Sequence, residues 1–195
     1  QGEGMNRFTT VVATAFLAAL TIALPARAAT FKIDPVHSFV VFKISHLDLG
    51  NVWGQFGGPS GSIAIDDSDA SKSSVEVEVK ADSLVTTNQG RDKHLKSPDF
   101  FDAKQFPTIT FKSTSVKKTA DNTYEVTGDL TLHGVTKSLT VTLTKLGEGD
   151  KGAMMGYRAG FETNFSIRRS DFGMTAMMNA AGDEVKLMVD LEGTK

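Results

Sequence analysis

The chain contains no cysteine among its 195 residues. Disulfide bonds, thiolate nucleophiles and cysteine-ligated metal centres are therefore excluded, although an exported bacterial protein can fold without disulfides. Basic residues are not in excess either, because 21 Lys and Arg stand against 23 Asp and Glu, for a net charge of −2. This balance argues against a nucleic-acid partner, since nucleic-acid-binding surfaces require a basic excess.

The common catalytic motifs are also missing. There is no Gly-x-Ser-x-Gly elbow, no P-loop and no Gly-x-Gly-x-x-Gly after a strand. The four histidines, His37, His46, His94 and His133, show no metal-binding spacing. The sequence therefore predicts no catalytic residues, no metal site and no cofactor. An enzymatic alternative would use His46 or His94 with a nearby carboxylate.

The N-terminal segment has the pattern of a secretory signal peptide. Arg7 supplies a positive charge, residues 11–24 form an uncharged, mostly apolar run, and an Ala-Arg-Ala sequence offers a cleavage site. A membrane anchor is the alternative, but the run is shorter than the roughly 20 residues that a span requires. We expect residues 1–28 to be a short scar before Met5 plus a signal peptide, and residues 29–195 to form one periplasmic domain.

The remaining sequence is dominated by alternation of apolar and polar residues, the period of a half-buried strand. It predicts eight strands if the Gly-Gly-Pro at residues 57–59 is a bend inside one of them. The connections are mostly short and no βαβ rhythm appears, so the sheet is expected to be antiparallel. Eight such strands close most readily into a barrel able to hold one slender ligand, and a two-sheet sandwich is the alternative. The predicted strands cover residues 36–46, 52–66, 75–79, 109–111, 124–132, 139–143, 157–167 and 185–191.

One long connection, residues 83–111, interrupts this pattern. Asn88 is a suitable N-cap for a short helix, and Pro98 is a natural stop. Phe100 and Phe101 follow together. A polar helix followed by paired phenylalanines suits a lid over an apolar opening, and a helix that plugs one barrel end as part of the core is the alternative.

Two features near the C-terminus are candidates for ligand contacts. Arg168 and Arg169 could hold an anionic head group at a strand end, or form a surface ion pair with Asp171. Three methionines lie within residues 174–178. Methionine adapts to irregular apolar shapes, so this loop could border a lipid chain at a barrel mouth or simply fill a gap in the core.

Three blocks of the sequence resemble the YceI-like family. They are Asp-Pro-Val-His-Ser at residues 34–38, Arg-Asp-Lys-His-Leu at residues 91–95, and Gly-Asp-Leu-Thr-Leu-His-Gly-Val-Thr-Lys at residues 128–137. Further matches, such as Ala-Gly-Phe at residues 159–161, extend the resemblance over the whole mature chain.

The resemblance implies an all-β fold, an eight-stranded antiparallel, extended lipocalin-like barrel with a helical insertion between strands four and five. It implies a periplasmic binding or carrier protein rather than an enzyme. The ligand would be a long isoprenoid, such as a polyprenyl phosphate or a quinone, or a similar amphiphilic lipid. Transient contact with a membrane is compatible with this role, and no particular oligomeric state is implied.

The residues and motifs together define a candidate binding site. The tunnel residues are predicted to be Val40, Phe42, Ile44, Phe56, Phe100, Phe101, Phe111, Phe161, Phe165, Met174 and Met177. The polar end is predicted to consist of His46, Arg91, His94 and Arg169.

Cleavage before Ala29 would remove Arg7, Arg27 and Glu3, leaving 19 basic and 22 acidic residues and a net charge of −3. A net-negative protein without a basic patch is not held electrostatically on an anionic membrane. A soluble carrier or reservoir therefore fits better than a fixed membrane protein. A barrel without a ligand, with a structural or stress role, is the third hypothesis.

Overall fold

The computed structural model describes residues 28–195 together with Gln1. Apart from its two end residues, the predicted scar and signal peptide lies outside the described residues, and so does the membrane-anchor alternative. Among the described residues, no helix combines the length and the apolar character needed to cross a membrane.

The described part of the chain is built almost entirely of strands. Within residues 28–195 the helical segments are one α-helix and three short 3₁₀-helices, the latter at Ala70–Lys72, Ala81–Ser83 and Arg169–Phe172. The elements in chain order are β1 (Ala29–Ile33), β2 (Phe39–His46), β3 (Gly50–Phe56), β4 (Ser60–Ile65), β5 (Ser74–Lys80), α1 (Gln89–Leu95), β6 (Thr108–Ala120), β7 (Thr123–Leu132), β8 (Val135–Asp150), β9 (Tyr157–Arg168) and β10 (Ala181–Thr194).

The strands form one closed antiparallel sheet. From β4 to β10 the order is β4-β5-β6-β7-β8-β9-β10, and β1 pairs with both β4 and β10, which closes an eight-stranded barrel. The predicted antiparallel barrel is confirmed, and the two-sheet sandwich is excluded because β1 joins both edges of the same sheet. Closure removes the free edges of these eight strands, whereas β3 pairs with β2 on one side and forms a single bridge, from Gln55 to Val85, on the other.

Two positions around the barrel are occupied by interrupted strands. The chain predicts one strand from residue 36, but the structure has β1 before it and begins β2 at Phe39. The break has a local cause: Asp34 Oδ1 accepts a hydrogen bond from Val36 N–H at 2.9 Å, and Pro35 has no N–H to donate to a ladder. Gly57-Gly58-Pro59 separates β3 from β4 in the same way.

At each of these breaks the chain passes from one half of the barrel to the other. β1 and β4 belong to one half, while β2 and β3 continue toward the other, where β2 pairs with β10 from Ala181 to Asp190. The predicted helical insertion is confirmed and lies between β5 and β6; the strand numbers differ because the structure has β1 in addition and divides the predicted strand 52–66 into β3 and β4.

One end of the barrel is densely packed, and we call it the closed end. Phe31, Tyr124 and Phe161 are fully buried there, and the rings of Phe31 and Phe161 meet edge to face at 6.1 Å. The Tyr124 hydroxyl donates to Asp67 Oδ1 at 2.8 Å, and Lys145 Nζ lies 3.1 Å from Asp67 Oδ2. Aromatic packing and this ionic network seal the closed end.

Candidate functional site

Two connected cavities occupy the interior of the barrel. The upper chamber has a volume of about 390 Å³ and lies at the end opposite the closed end. The lower chamber, of about 100 Å³, continues toward the closed end. The residues that line both chambers form the waist between them, and they are Val40, Val79, Ile109, Leu130 and Leu187. The two chambers therefore adjoin each other, and we call them together the tunnel.

The tunnel follows β10 for most of its length. Ala181 lines the upper chamber, Leu187 lies at the waist, and Leu191 lines the lower chamber. Ten residue steps at about 3.3 Å each correspond to about 33 Å along the strand. Because barrel strands tilt by about 35–45° to the barrel axis, the corresponding length along the axis is about 25 Å. The tunnel therefore suits a long chain better than a compact ligand.

The helical insertion covers the upper chamber. As predicted, Asn88 caps α1, because its Oδ1 accepts from Arg91 N–H at 2.9 Å, and the helix ends at Leu95 before Pro98. Gly90, Arg91, His94 and Leu95 face the chamber, and α1 itself has no buried residue. The short polar helix thus lies across an opening instead of entering the core.

Phe100 and Phe101 hold the insertion in place. The ring of Phe101 meets that of Phe56 edge to face at 5.4 Å, and Phe100 meets the His94 imidazole at 5.0 Å. Both phenylalanines line the upper chamber. The segment therefore roofs a cavity and does not fill it, which is the geometry expected of a lid.

Arg169 lies in the wall of the upper chamber, and burial of this side chain lowers the pKa of its guanidinium. Its Nε donates to the Gly182 carbonyl, Nη1 to those of Met174 and Ala176, and Nη2 to that of Ala181, each at 2.8 Å. Arg169 is thus buried and not part of a surface ion pair. It holds the methionine loop against the barrel and leaves one of its five N–H groups for a ligand.

Arg91 and His94 lie on the same side of the mouth, on α1. Arg91 donates from Nε to Thr86 Oγ1 at 2.7 Å and from Nη2 to the Thr86 carbonyl at 2.6 Å. His94 Nε2 lies 2.9 Å from Asp99 Oδ2. Both side chains are positioned before any ligand arrives, which lowers the entropy lost when a head group binds.

The structure brings fourteen of the fifteen predicted site residues to the tunnel wall. The upper chamber is lined by Val40, Phe42, Ile44, Phe56, Phe100, Phe101, Met174, Met177, His46, Arg91, His94 and Arg169. Phe111 and Phe165 line the lower chamber. Phe161 lines neither, because it packs against Phe31 at the closed end. Whether the tunnel residues contact a ligand stays a prediction.

Most of the wall residues that were not predicted are aliphatic. They come from the inward faces of β5, β6, β7, β8 and β10, and the alternation of these strands is the signal that would have found them. They include Val75, Val77, Val79, Ile109, Leu130, Leu132, Val141, Leu143, Val185, Leu187, Val189 and Leu191. The predicted tunnel residues were mainly bulky aromatics, although the residues that line the tunnel wall without having been predicted are mainly valine and leucine.

Thr163 is an exception in the lower chamber wall. Among the described residues, its Oγ1 is a buried side-chain oxygen without a hydrogen-bond partner. A buried unsatisfied hydroxyl costs about 1–3 kcal/mol. The lower chamber thus offers a ligand almost entirely hydrocarbon contacts.

A cluster outside the tunnel has the residue types of a metal site. Ligand atoms of Asp34, His37 and Glu192 lie within 4.8 Å of one another. Arg158, however, donates from Nη1 to Asp34 Oδ2 at 2.7 Å and also to Glu192. His37 Nδ1 also lies 2.9 Å from Asp34 Oδ2, and the hydrogen bonds with His37 and then Arg158 hold the pKa of the Asp34 carboxyl well below its usual range. The guanidinium already supplies the positive charge that a cation would bring.

The chain is similar in sequence to curated bacterial proteins over nearly its whole length. A UPF0312 protein of Pseudomonas aeruginosa (strain LESB58) is 39% identical over 188 residues, covering 95% of this chain and 97% of the relative. A UPF0312 protein of Pseudomonas fluorescens (strain Pf-5) is 43% identical over 193 residues, again covering 95% and 97%.

Solved structures share the barrel. Burkholderia cenocepacia BcnA superposes with a TM-score of 0.75 at 25% identity, over 83% of this chain and 99% of that one. The Campylobacter jejuni YCEI protein gives 0.66 at 34% identity, over 78% and 91%. A polyisoprenoid binding domain from Saccharophagus degradans shares the fold, with a TM-score of 0.64 at 16% identity over 86% and 99%. The sequence model of the YceI-like domain matches residues 31–193, so the chain belongs to the YceI-like family.

Proposed function

We propose that this protein is a periplasmic carrier that binds a long isoprenoid, or a similar amphiphilic lipid, with its chain in the tunnel and its head group at the mouth. The observation that carries the proposal is the tunnel itself, which is apolar, long and sealed at one end. In this proposal the protein is exported by its N-terminal signal peptide, has no cofactor and is not an enzyme.

The tunnel explains why such a ligand would be stable in the protein. Removing one methylene group from water contributes about 0.8 kcal/mol, so a long chain gains a large free energy over the aqueous state. A bilayer offers the same gain. Selectivity must therefore come from tunnel length and from head-group contacts. The polar side chains of the upper chamber that we propose for these contacts are those of Arg91, His94, His46 and Arg169.

Two relationships support the proposal. The chain belongs to the YceI-like family, and its resemblance to that family implies an isoprenoid ligand. The Saccharophagus degradans domain that shares the fold is described as polyisoprenoid binding. A polyprenyl phosphate or a quinone would fit the site, because each has a long apolar chain for the tunnel and a polar head group for the mouth.

The proposal is tested by native mass spectrometry of the purified protein, followed by extraction and identification of its lipids. We expect a co-purifying isoprenoid or related amphiphile. An empty protein that also fails to take up a fluorescent isoprenoid analogue would contradict the proposal and favour the ligand-free structural role.

A matched pair of substitutions on one strand makes this test specific. Phe42 of β2 lines the upper chamber, whereas Phe39 of the same strand faces outward and is half exposed. Phe42→Glu should abolish loading because a buried charge without a partner is strongly unfavourable. Phe39→Glu should retain loading. Equal loading of the two folded variants would contradict the tunnel assignment.

The enzymatic alternative rests on the His94–Asp99 pair. An imidazole paired with a carboxylate is part of many acid–base sites, but a nucleophile must also lie within hydrogen-bond reach. Among the described residues, no hydroxyl group forms a hydrogen bond with His94. Turnover of an isoprenoid phosphate that disappears in His94→Ala would overturn the carrier role.

A further inference from the structure

The mouth of the tunnel is surrounded by large apolar side chains that are exposed to solvent. Leu47 and Leu49 belong to the turn between β2 and β3, and Met177 and Met178 belong to the loop before β10. We call these four residues the apolar rim. Leu49 is 89% exposed, so its side chain has almost no packing role in the barrel.

The apolar rim is continuous with the tunnel. Leu47 N–H donates to the Ala180 carbonyl at 2.8 Å, and His46 of β2 pairs with Ala181 of β10, which joins the two parts of the rim. Met177, His46 and Ala181 also line the upper chamber. A lipid chain that leaves the chamber on this side therefore meets the apolar rim first.

Turn chemistry does not account for these side chains. Leu47 and Met177 both have φ of 53°, in the left-handed region that favours glycine and asparagine over bulky residues. Leu47 and Asp48 are the first two residues of the three-residue turn between His46 and Gly50, and both have positive φ, a conformation for which glycine and asparagine are preferred. The chain thus places apolar side chains in an unfavourable conformation at an exposed site, which indicates a function for them.

A charged and aromatic belt lies behind the apolar rim on the outer face of the barrel. Lys43 of β2 pairs directly with Trp53 of β3 and with Lys186 of β10, and its Nζ lies 5.3 Å above the Trp53 ring. Neither lysine has a carboxylate within 4.0 Å among the described residues. Like charges directly opposite one another in a sheet are destabilising unless a ligand of opposite charge compensates them.

The order of these groups matches the layers of a membrane. Trp53 follows Leu49 by four residues, about 13 Å along the strand. Tryptophan and lysine are preferred at the level of lipid head groups, below which leucine and methionine enter the hydrocarbon. The sequence predicts no basic patch, but strand pairing places Lys43 beside Lys186, and this local pair complements the negative surface of an anionic bilayer although the whole chain is net negative.

We propose that the apolar rim docks the tunnel mouth onto an anionic bilayer, with Leu49 and Met178 in the hydrocarbon and Trp53, Lys43 and Lys186 at the head groups. The inference rests on the proposed function, because it describes how that lipid passes between the membrane and the tunnel. Docking removes water from the mouth, so the chain moves from one apolar phase to another without crossing water.

The single tryptophan of the chain makes docking directly measurable. Vesicles of phosphatidylethanolamine with phosphatidylglycerol should shift Trp53 emission to shorter wavelength, and brominated lipids in the same vesicles should quench it. Phosphatidylcholine vesicles should bind more weakly, by about fivefold for each lysine that loses its anionic partner. An unchanged Trp53 spectrum with anionic vesicles would overturn the proposal.

A matched pair of exposed residues distinguishes docking by the apolar rim from nonspecific adsorption to lipid. Leu49→Asp should lower partitioning onto anionic vesicles by about tenfold or more, because a leucine that enters the hydrocarbon on docking is replaced by a charge. Met154 is 97% exposed in the loop between β8 and β9, at the opposite end of the barrel. Met154→Asp should leave partitioning unchanged. Both variants retain the apolar N-terminal run, so its own affinity for lipid cancels in the comparison.

The outcomes separate docking from the binding function. Equal vesicle binding by Leu49→Asp and Met154→Asp would overturn docking by the apolar rim. If Leu49→Asp still co-purifies with lipid but exchanges it slowly with vesicles, both proposals are supported. A wild-type protein that docks but never carries lipid would overturn only the proposed function. Binding that requires membrane proteins, and is absent with protein-free vesicles, would favour a protein partner and overturn docking on lipid.

Discussion

The two ends of the barrel are built from the same strands, but large apolar side chains are buried at one end and exposed at the other. At the closed end, Tyr124 and Phe161 are fully buried, and polar groups such as Lys145 are paired above them. At the mouth, Leu49 and Met177 are exposed above a cavity. The difference indicates a tunnel that is open at one end only. In the proposed function, the chain would enter at the mouth and end in the apolar lower chamber.

The polar groups of the two ends also differ in their partners. The ionic groups of the closed end bind one another, as in the contact of Asp67 with Lys145. At the mouth, Arg169 is satisfied mainly by backbone carbonyls and has no carboxylate within 4.0 Å among the described residues. The charge of Arg169 at the mouth is therefore not neutralised by a direct ion pair, whereas the charge of Lys145 at the closed end is.

The largest expected effect compares two phenylalanines of β9. Phe161 packs in the closed end, whereas Phe165 lines the lower chamber. Phe161→Ala should lower the free energy of unfolding by about 3–5 kcal/mol, because it leaves a cavity in a packed core. Phe165→Ala should cost less, since the ring already borders empty space, and it should enlarge the tunnel. Urea denaturation of both variants measures the difference, and a larger loss in Phe165→Ala would refute the distinction between the two ends.

The closed end should also respond to alkaline pH. Burial, reinforced by the hydrogen bond to Asp67, raises the pKa of Tyr124 to about 12. In the unfolded chain a tyrosine ionises near pH 10, so this contribution is fully present below pH 10 and is lost as the pH rises toward about 12. The loss should be on the order of 2 kcal/mol.

Thermal unfolding between pH 9 and pH 12 tests this dependence. Tyr124→Phe has no hydroxyl to ionise, so its stability should fall less steeply over that interval. The same alkaline slope in the wild type and in Tyr124→Phe would mean that other groups control the closed end.

At the mouth, one glycine controls the space available to the ligand. A Cβ on Gly54 would lie 2.2 Å from Cζ of Phe42, so the ring would have to move. Gly54→Ala should therefore lower stability by about 1–3 kcal/mol through overpacking and should reduce lipid loading. Gly57→Ala is the control, because nothing lies within 4 Å of its would-be Cβ. Unchanged loading of Gly54→Ala would show that the upper chamber can expand.

A smaller and opposite effect is expected in the lower chamber. Thr163→Val removes the buried hydroxyl that lacks a partner, so it should raise stability by about 1 kcal/mol and preserve loading. Calorimetry and lipid analysis of the same preparation measure both. A loss of loading would indicate that Thr163 binds a polar group of the ligand, and the proposed orientation of the chain would then be wrong.

The smallest effect concerns the insertion over the mouth. His94 and Asp99 are both largely exposed, and exposed ion pairs contribute at most about 1 kcal/mol. His94→Ala should therefore hardly change global stability, but it should speed hydrogen exchange in residues 88–101 because a lid opens locally before the barrel does. Protection equal to that of the strands, and unaffected by ligand, would identify the segment as a structural plug.

The sequence by itself determined which side of each strand faces the interior. Alternation places Phe42 and Ile44 on one face and Lys43 on the other, because side chains in a strand point alternately to opposite sides. Local signals were equally sufficient for α1, since a cap such as Asn88 acts through neighbouring backbone groups. The family blocks added the expectation of a barrel, which the closed sheet confirms.

Only the tertiary structure decided how these faces combine. Three features depend on the register between strands that are distant in sequence. They are the closure of the barrel through β1, the position of Phe161 outside the tunnel wall, and the carbonyl groups around Arg169. The pairing of Lys43 with Lys186 is of the same kind. Alternation determines the face of a residue but not its neighbour across the sheet, and a two-residue change of register keeps every face while it replaces every neighbour.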